Sequence, residues 1–259
     1  MTQRTTHEPG TVTTRVADGV ASVTFGHPKG NSLPGVLLAE LAARITALGQ
    51  EPQASVIVLR SEGTGAFCAG ASFAELSGIA DVESGTRFFM GFANLINAMR
   101  ECPKLIVARV HGKVVGGGVG MVAASDYALA TTAAQVKLSE LALGIGPFVV
   151  GPVIERRIGV GNYAALAIDA AEWRGAEWAH QRGLYAELHP DSAALDARLA
   201  ALARQLAASN PEAATAMKRV FWEGTEHWRE LLAARARLSG TLVVSAFARQ
   251  AIERLSSSL

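Results

Sequence analysis

Cysteine is nearly absent: Cys68 and Cys102 are the only two in 259 residues. That excludes a disulfide framework and a paired-cysteine metal knuckle, and it suits buried thiols in a reducing compartment. An excess of one charge is lacking too. The 24 Lys and Arg residues balance 23 Asp and Glu residues, so the electrostatic footprint of a nucleic-acid binder is missing. No apolar run is long enough and free enough of glycine and charge to span a bilayer, and Met1–Gly10 has no apolar leader segment. The expectation is a cytoplasmic protein whose partners are small molecules or copies of itself. Internal repeats of a solenoid period are absent.

What the chain does have is glycine in costly places. Between an apolar strand and a short apolar helix stand Gly116, Gly117, Gly118 and Gly120, within His111–Asp126. Glycine loses more backbone entropy on folding than any other residue, so such a cluster implies positive φ or close backbone approach. Bare N–H groups at a helix start are donors for an oxygen carrying negative charge.

Along the chain, Thr11–Val16 and Val20–Phe25 flank the turn signal Ala17-Asp18-Gly19 and read as a hairpin. Residues 33–48 restart the pattern at helical spacing. Ser55–Arg60, Lys104–Val110 and Tyr127–Thr131 are short apolar strands, and helical patterns at 73–76 and 88–100 lie between them. Alternating strands and helices argue for a layered α/β core. Beyond Glu140 the pattern is mostly helical, at 150–158, 162–170, 175–182, 193–208, 211–222, 230–238 and 243–255. Asn210-Pro211 is a helix start signal. Trp173, Trp178, Trp222 and Trp228 all fall in this half, where packing between helices or subunits accounts for them.

Gly118-Val-Gly120-Met-Val-Ala123 matches a relaxed dinucleotide-binding pattern, with Glu140 about 20 residues on. Its context is wrong. Residues 111–115 separate it from the preceding strand, and the next strand begins near Tyr127, too soon for a full helix. No Gly-Lys-[Ser/Thr] closes the run as a phosphate loop. There remain two glycine-bearing loops, Cys68-Ala-Gly-Ala-Ser72 and Gly116-Gly-Gly118, each after a buried strand and each opening a helix. They can aim two backbone donors at one oxyanion, or they can be two tight helix–strand packings.

Four stretches, taken together and in order, resemble the enoyl-CoA hydratase/isomerase (crotonase) family over nearly the whole length. They are Phe25–Leu33, Phe67–Leu76, Ala108–Ala130 and Leu138–Gly144. The resemblance implies a crotonase-like spiral of ββα units over residues 1–192 and a C-terminal helical region over 193–259 that makes trimers, often paired into hexamers. It implies an acyl-CoA thioester as substrate, of the kind met in fatty-acid metabolism. Coenzyme A is then part of the substrate, and no separate cofactor, metal, nucleic acid or membrane is called for.

The resemblance further places the thioester oxygen between the N–H groups of Ala71 and Gly117, with Lys29 near the nucleotide end. Ala69, Ser72, Gly118, Gly120 and Phe148 are the remaining substrate-binding positions. Phe247 and Arg249 match the family's C-terminal coenzyme A contacts only loosely. Hydratases of the family carry one glutamate two residues after the triple glycine and another about twenty residues later. Here the first position is Gly120 and the second is Glu140. The turn after it reads Gly146-Pro-Phe-Val-Val-Gly-Pro152, which departs from the family's glycine-rich form.

A single carboxylate facing an enolate-stabilising hole can move a proton from the α to the γ carbon, which is double-bond isomerisation with one base. Hydration stays open, as do decarboxylation of a malonyl- or glutaconyl-type thioester and a degenerate acyl-CoA-binding trimer. Apart from the resemblance, Glu140 reads as a helix cap or ion-pair partner. Asp126 and His111 are expected to be structural, and Glu75, Glu155, Arg156 and Arg157 to sit on solvated helix faces. Phe148, Val149 and Val150 suit an acyl pocket or the core equally.

Overall fold

The computed structural model describes residues 2–7 and 10–256. Strand β1 (Thr2–His7) pairs antiparallel with β2 (Gly10–Ala17), which forms a hairpin with β3 (Gly19–Gly26). Asp18 and Gly19 take φ values of 50° and 76°, the positive pair that a two-residue hairpin turn needs. After helix α1 (Gly35–Gln50), strand β4 (Ala54–Ser61) joins β3 in parallel. Helices α2 (Phe73–Ser77) and α3 (Val82–Glu101) lead to β5 (Leu105–Val110), parallel to β4.

The glycine stretch follows as β6 (Val114–Val115) and α4 (Gly117–Ala124), then β7 (Tyr127–Thr131) beside β5. Strand β8 (Val136–Lys137) pairs with β6 in a separate two-stranded layer. Helices α5 (Gly151–Ile158), α6 (Val160–Ile168) and α7 (Ala176–Gln181) lead to β9 (Glu187–His189). It closes a seven-stranded sheet in the order β1-β2-β3-β4-β5-β7-β9. Helices α8 (Ser192–Ala207), α9 (Pro211–Phe221), α10 (Trp228–Val243) and α11 (Ala246–Ser256) complete the chain.

The parallel strands are apolar because both faces of the sheet are covered. Residues alternate across a strand, so Ile57 and Leu59 of β4 join the core under α1 and α3. Val56 and Val58 face the other way, onto Leu195, Leu199, Leu202 and Ala203 of α8. Those four recur at helical spacing on one stripe, and Asp191 starts the helix by accepting from the Ala194 amide at 2.8 Å. The boundary expected at residue 192 thus falls just before a helix that packs on the sheet itself. No single helix among the described residues is long and apolar enough to cross a membrane.

The hairpin and the three apolar strands form where the sequence patterns lie. Four strands were not anticipated. β1 lies in a polar stretch, β6 and β8 have two residues each, and β9 has three, all too short or too polar for a period to show.

Candidate active site

The two glycine loops are knitted side by side by their backbones. Phe67 donates to the Lys113 carbonyl at 2.9 Å, and Val115 donates to the Cys68 carbonyl at 2.9 Å. Only small residues permit that approach. A Cβ on Gly118 would lie 2.9 Å from the Cβ of Cys68, and one on Gly70 would lie 3.2 Å from the Val115 carbonyl, at a φ of +90°. Ser72 then caps α2, accepting from the Glu75 amide at 3.3 Å.

This weave leaves two amides unused. On either side of Ala71, the Gly70 carbonyl accepts from Leu33 at 2.8 Å and Ser72 donates to the Leu33 carbonyl at 3.2 Å. Among the described residues nothing accepts from the Ala71 amide itself. Gly117 is the first residue of α4, so its N–H has no intrahelical acceptor. Gly116 before it holds φ +53° and ψ −120°, which turns the chain into the helix and which side chains other than glycine rarely adopt.

Glu140 meets this loop from β8, whose last carbonyl, on Lys137, accepts from the Gly116 amide at 2.9 Å. A Cβ on Gly116 would come within 2.9 Å of Glu140 Oε1, so the carboxyl group rests against the glycine backbone. Glu140 stands at the start of a one-turn 3-10 helix, Leu141–Leu143, and its carbonyl accepts from Leu143 and Ile145, each at 3.1 Å. Its side chain caps nothing, forms no ion pair among the described residues, and leaves Oε2 sealed from solvent with no hydrogen-bond partner. Cap and ion-pair roles are therefore ruled out. Burial of the carboxyl group pushes its pKa up from 4.5 to about 7, outweighing the nearby Glu140 and Ser139 backbone amides that favour the anion.

A cavity of about 280 Å³ lies over these groups. Ala69, Ala71, Gly117, Glu140 and Phe148 all line it, so the structure brings these five sequence candidates together. Lys29 is exposed, and neither it nor Ser72, Gly118 or Gly120 lines the cavity. The space beside Gly120 is occupied: a Cβ there would lie 2.4 Å from Val150 Cγ1. Val149 and Val150 line the cavity as well. A larger groove of about 440 Å³ is lined by Asp126, Arg156, Arg157 and Trp222, away from both glycine loops.

Asp126 is fully engaged there. It accepts from the Ile106 amide at 2.7 Å and from Trp222 Nε1 at 3.2 Å, and it pairs with buried Lys218 at 2.9 Å. His111 is buried with its ring edge-on to Phe67, and neither ring nitrogen finds a hydrogen-bond partner among the described residues. Burial, followed by the charges of Arg109 and Arg60, lowers its pKa. Trp222 packs on Trp228 at 5.9 Å between helices, while Lys113 and Lys137 lie over the Trp173 ring.

Sequence reasoning missed much of the wall. Phe73, Phe88, Phe89, Phe92 and Ser239 line the cavity. On α3 the phenylalanines follow the spacing of an ordinary core-facing stripe, and Ser239 sits on α10, about a hundred residues beyond Glu140. No local signal separates such residues from packing.

Comparison with known proteins places the chain in a family. The sequence profile of the enoyl-CoA hydratase/isomerase family matches residues 15–254. Enoyl-CoA hydratase domain-containing protein 2 of Mus musculus is 30% identical over 168 residues, 64% of this chain and 56% of that protein. The chain thus spans little more than half the length of this relative. The peroxisomal Delta(3,5)-Delta(2,4)-dienoyl-CoA isomerase of Arabidopsis thaliana is 28% identical over 211 residues, 76% of this chain and 74% of the relative. The crystal structure of an enoyl-CoA hydratase from Bacillus halodurans superposes with a TM-score of 0.86 at 21% identity, covering 94% of this chain and 99% of that one. That likeness establishes the crotonase-type fold.

Proposed function

The chain belongs to the enoyl-CoA hydratase/isomerase family, and from that premise we propose that it shifts a carbon–carbon double bond in an enoyl-CoA thioester, with Glu140 as its one acid/base. Coenzyme A enters as part of the substrate, with Lys29 meeting its nucleotide end, and no separate cofactor takes part. The thioester oxygen accepts hydrogen bonds from the free amides of Ala71 and Gly117, which oppose the negative charge that develops there. Donors of this kind contribute roughly 2.7–4 kcal/mol each. Glu140 removes a proton from the carbon α to the thioester, the dienolate is held by the two amides, and the same carboxyl group returns the proton at the γ carbon.

The observation that carries this reading is the state of Glu140. It is the only carboxylate among the described residues lining the cavity, its Oε2 has no hydrogen-bond partner, and its pKa of about 7 suits both taking and returning a proton near neutrality. Val150 fills the place beside Gly120, where a hydratase of the family would carry its other glutamate. That favours isomerisation over addition of water. The Arabidopsis relative named as a dienoyl-CoA isomerase is in keeping with it.

Purified protein given a 3-enoyl-CoA should form the 2-enoyl isomer, and Glu140→Ala should lower kcat by about a thousandfold, within the usual range for a general base. Accumulation of a 3-hydroxyacyl-CoA, or release of free coenzyme A or CO2, would overturn the assignment. Because the base must be ionised to begin, kcat/KM should rise with pH through about 7 and then level. Assembly into trimers or hexamers belongs to the same reading. Exposed Val160, Ile168, Val220 and Phe221 are the apolar residues such contacts would cover, and sedimentation would test it.

A further inference from the structure

Among the described residues, two buried side-chain oxygens of the cavity lining lack any hydrogen-bond partner, Glu140 Oε2 and Ser239 Oγ. The first serves the proton transfer, but the second has no part in it. Ser239 is 1% exposed, and a buried hydroxyl without a partner is an expensive group to keep. Serine and threonine inside helices commonly bond back to the carbonyl four residues earlier. Thr241 on the same helix does so to Arg237 at 3.0 Å, Thr86 to Val82 at 2.7 Å and Ser125 to Met121 at 3.1 Å. Ser239 does not.

Nor can the helix withdraw this hydroxyl from the wall. Helix α10 crosses α3 backbone to backbone: a Cβ on Gly85 would lie 2.9 Å from Gly240 Cα, and one on Gly240 would lie 2.6 Å from the Thr86 amide. The residue next to Ser239 is thus locked against the helix that supplies Phe88, Phe89 and Phe92 to the cavity. With Phe73 and Phe148, five of the nine phenylalanines in the chain line this one space, and Phe88 and Phe89 meet edge to face at 5.1 Å. Walls of this composition suit a ring, and about 280 Å³ is small for a ligand site.

Resting on the acyl-thioester reading above, we propose that the acyl group is a compact ring, aromatic or alicyclic, bearing a hydroxyl or keto oxygen that hydrogen-bonds to Ser239. Ser239 is then a specificity-determining residue, remote in sequence from the glycine loops. The phenylalanines select the ring, and the serine selects the oxygen on it.

The test is calorimetric binding of unreactive saturated thioesters to the full chain. The probes are butanoyl-CoA, 3-phenylpropanoyl-CoA with its 2-, 3- and 4-hydroxy derivatives, and 3-cyclohexylpropanoyl-CoA with its 4-oxo derivative. One oxygenated probe should bind about five- to tenfold more tightly than its parent, the gain of one added hydrogen bond. Ser239→Ala should erase that preference, the oxygenated probe then binding no more tightly than its parent. Since alanine removes an unpartnered hydroxyl and favours the helix, the variant should melt no lower than the native protein, so loss of preference cannot be put down to misfolding.

Binding of butanoyl-CoA without tighter binding of any ring-bearing probe would overturn this proposal alone. So would an oxygen preference that survives Ser239→Ala. Failure of every thioester, butanoyl-CoA included, would overturn the acyl-thioester reading and this proposal with it.

Discussion

Asp126 and Glu140 lie fourteen residues apart, both with buried carboxyl groups, and the fold treats them oppositely. Asp126 is met by a backbone amide, an indole N–H and the ammonium of Lys218. Glu140 is met at Oε2 by nothing, and its carboxyl lies against the bare backbone of Gly116. A carboxylate surrounded by fixed donors holds a strand start, a helix and a tryptophan in register. One whose burial outweighs the two amides beside it has its pKa raised to about 7, close to neutrality. On the proposed reading of Glu140, the difference separates a structural from a chemical carboxylate, which burial, common to both, does not.

The contrast can be broken most forcefully from the Asp126 side. Asp126→Ala leaves Lys218 buried and uncompensated, and should cost about 3–5 kcal/mol, read as a fall in the denaturant midpoint. Losing less than 1 kcal/mol would mean the network is ornamental. Glu140→Gln should act in the opposite direction, and only when the pH is high. Its folded pKa of about 7 lies above the ordinary 4.5, so its penalty is absent below pH 4.5, grows as pH rises to 7, and is complete beyond. At pH 8 the glutamine variant should therefore be more stable than the native protein by about 3 kcal/mol, and at pH 4 equal to it. Equal stability at both pH values would remove the claim that Glu140 is held under strain of desolvation.

The smallest effect concerns the space beside the glycine stretch. Gly120→Ala drives a methyl group into Val150 and should cost about 1–3 kcal/mol, with most of it recovered in the Gly120→Ala, Val150→Ala double variant. Additive losses would show that Val150 does not fill that space.

How far all this was readable beforehand depended on whether a feature is local in the chain. The hairpin at Asp18-Gly19, the apolar strand β4 and the Asn210-Pro211 helix start are written in adjacent residues, and the structure has them there. Strand β9 owes its existence to pairing with β7 and carries no pattern of its own. The cavity was legible only in part. Residues flanking the glycines pointed to Ala71, Gly117 and Glu140 because the resemblance supplied their partners. That Val150 sits against Gly120, thirty residues away, and that Ser239 reaches the same space, are facts of three-dimensional adjacency. Composition on either side does not encode them.

The glycine crossing of α3 and α10 has a consequence for how such a protein can change over generations. The wall that carries Glu140 and the glycine loops is drawn from residues 69–150, whereas Ser239 comes from a helix about ninety residues further along, kept at contact distance by Gly85 and Gly240. If the proposed roles hold, mutations at Ser239 and its neighbours retune which molecules are admitted while the reacting groups stay untouched. Lineages sharing one chemistry can thus diverge in diet by editing a single helix.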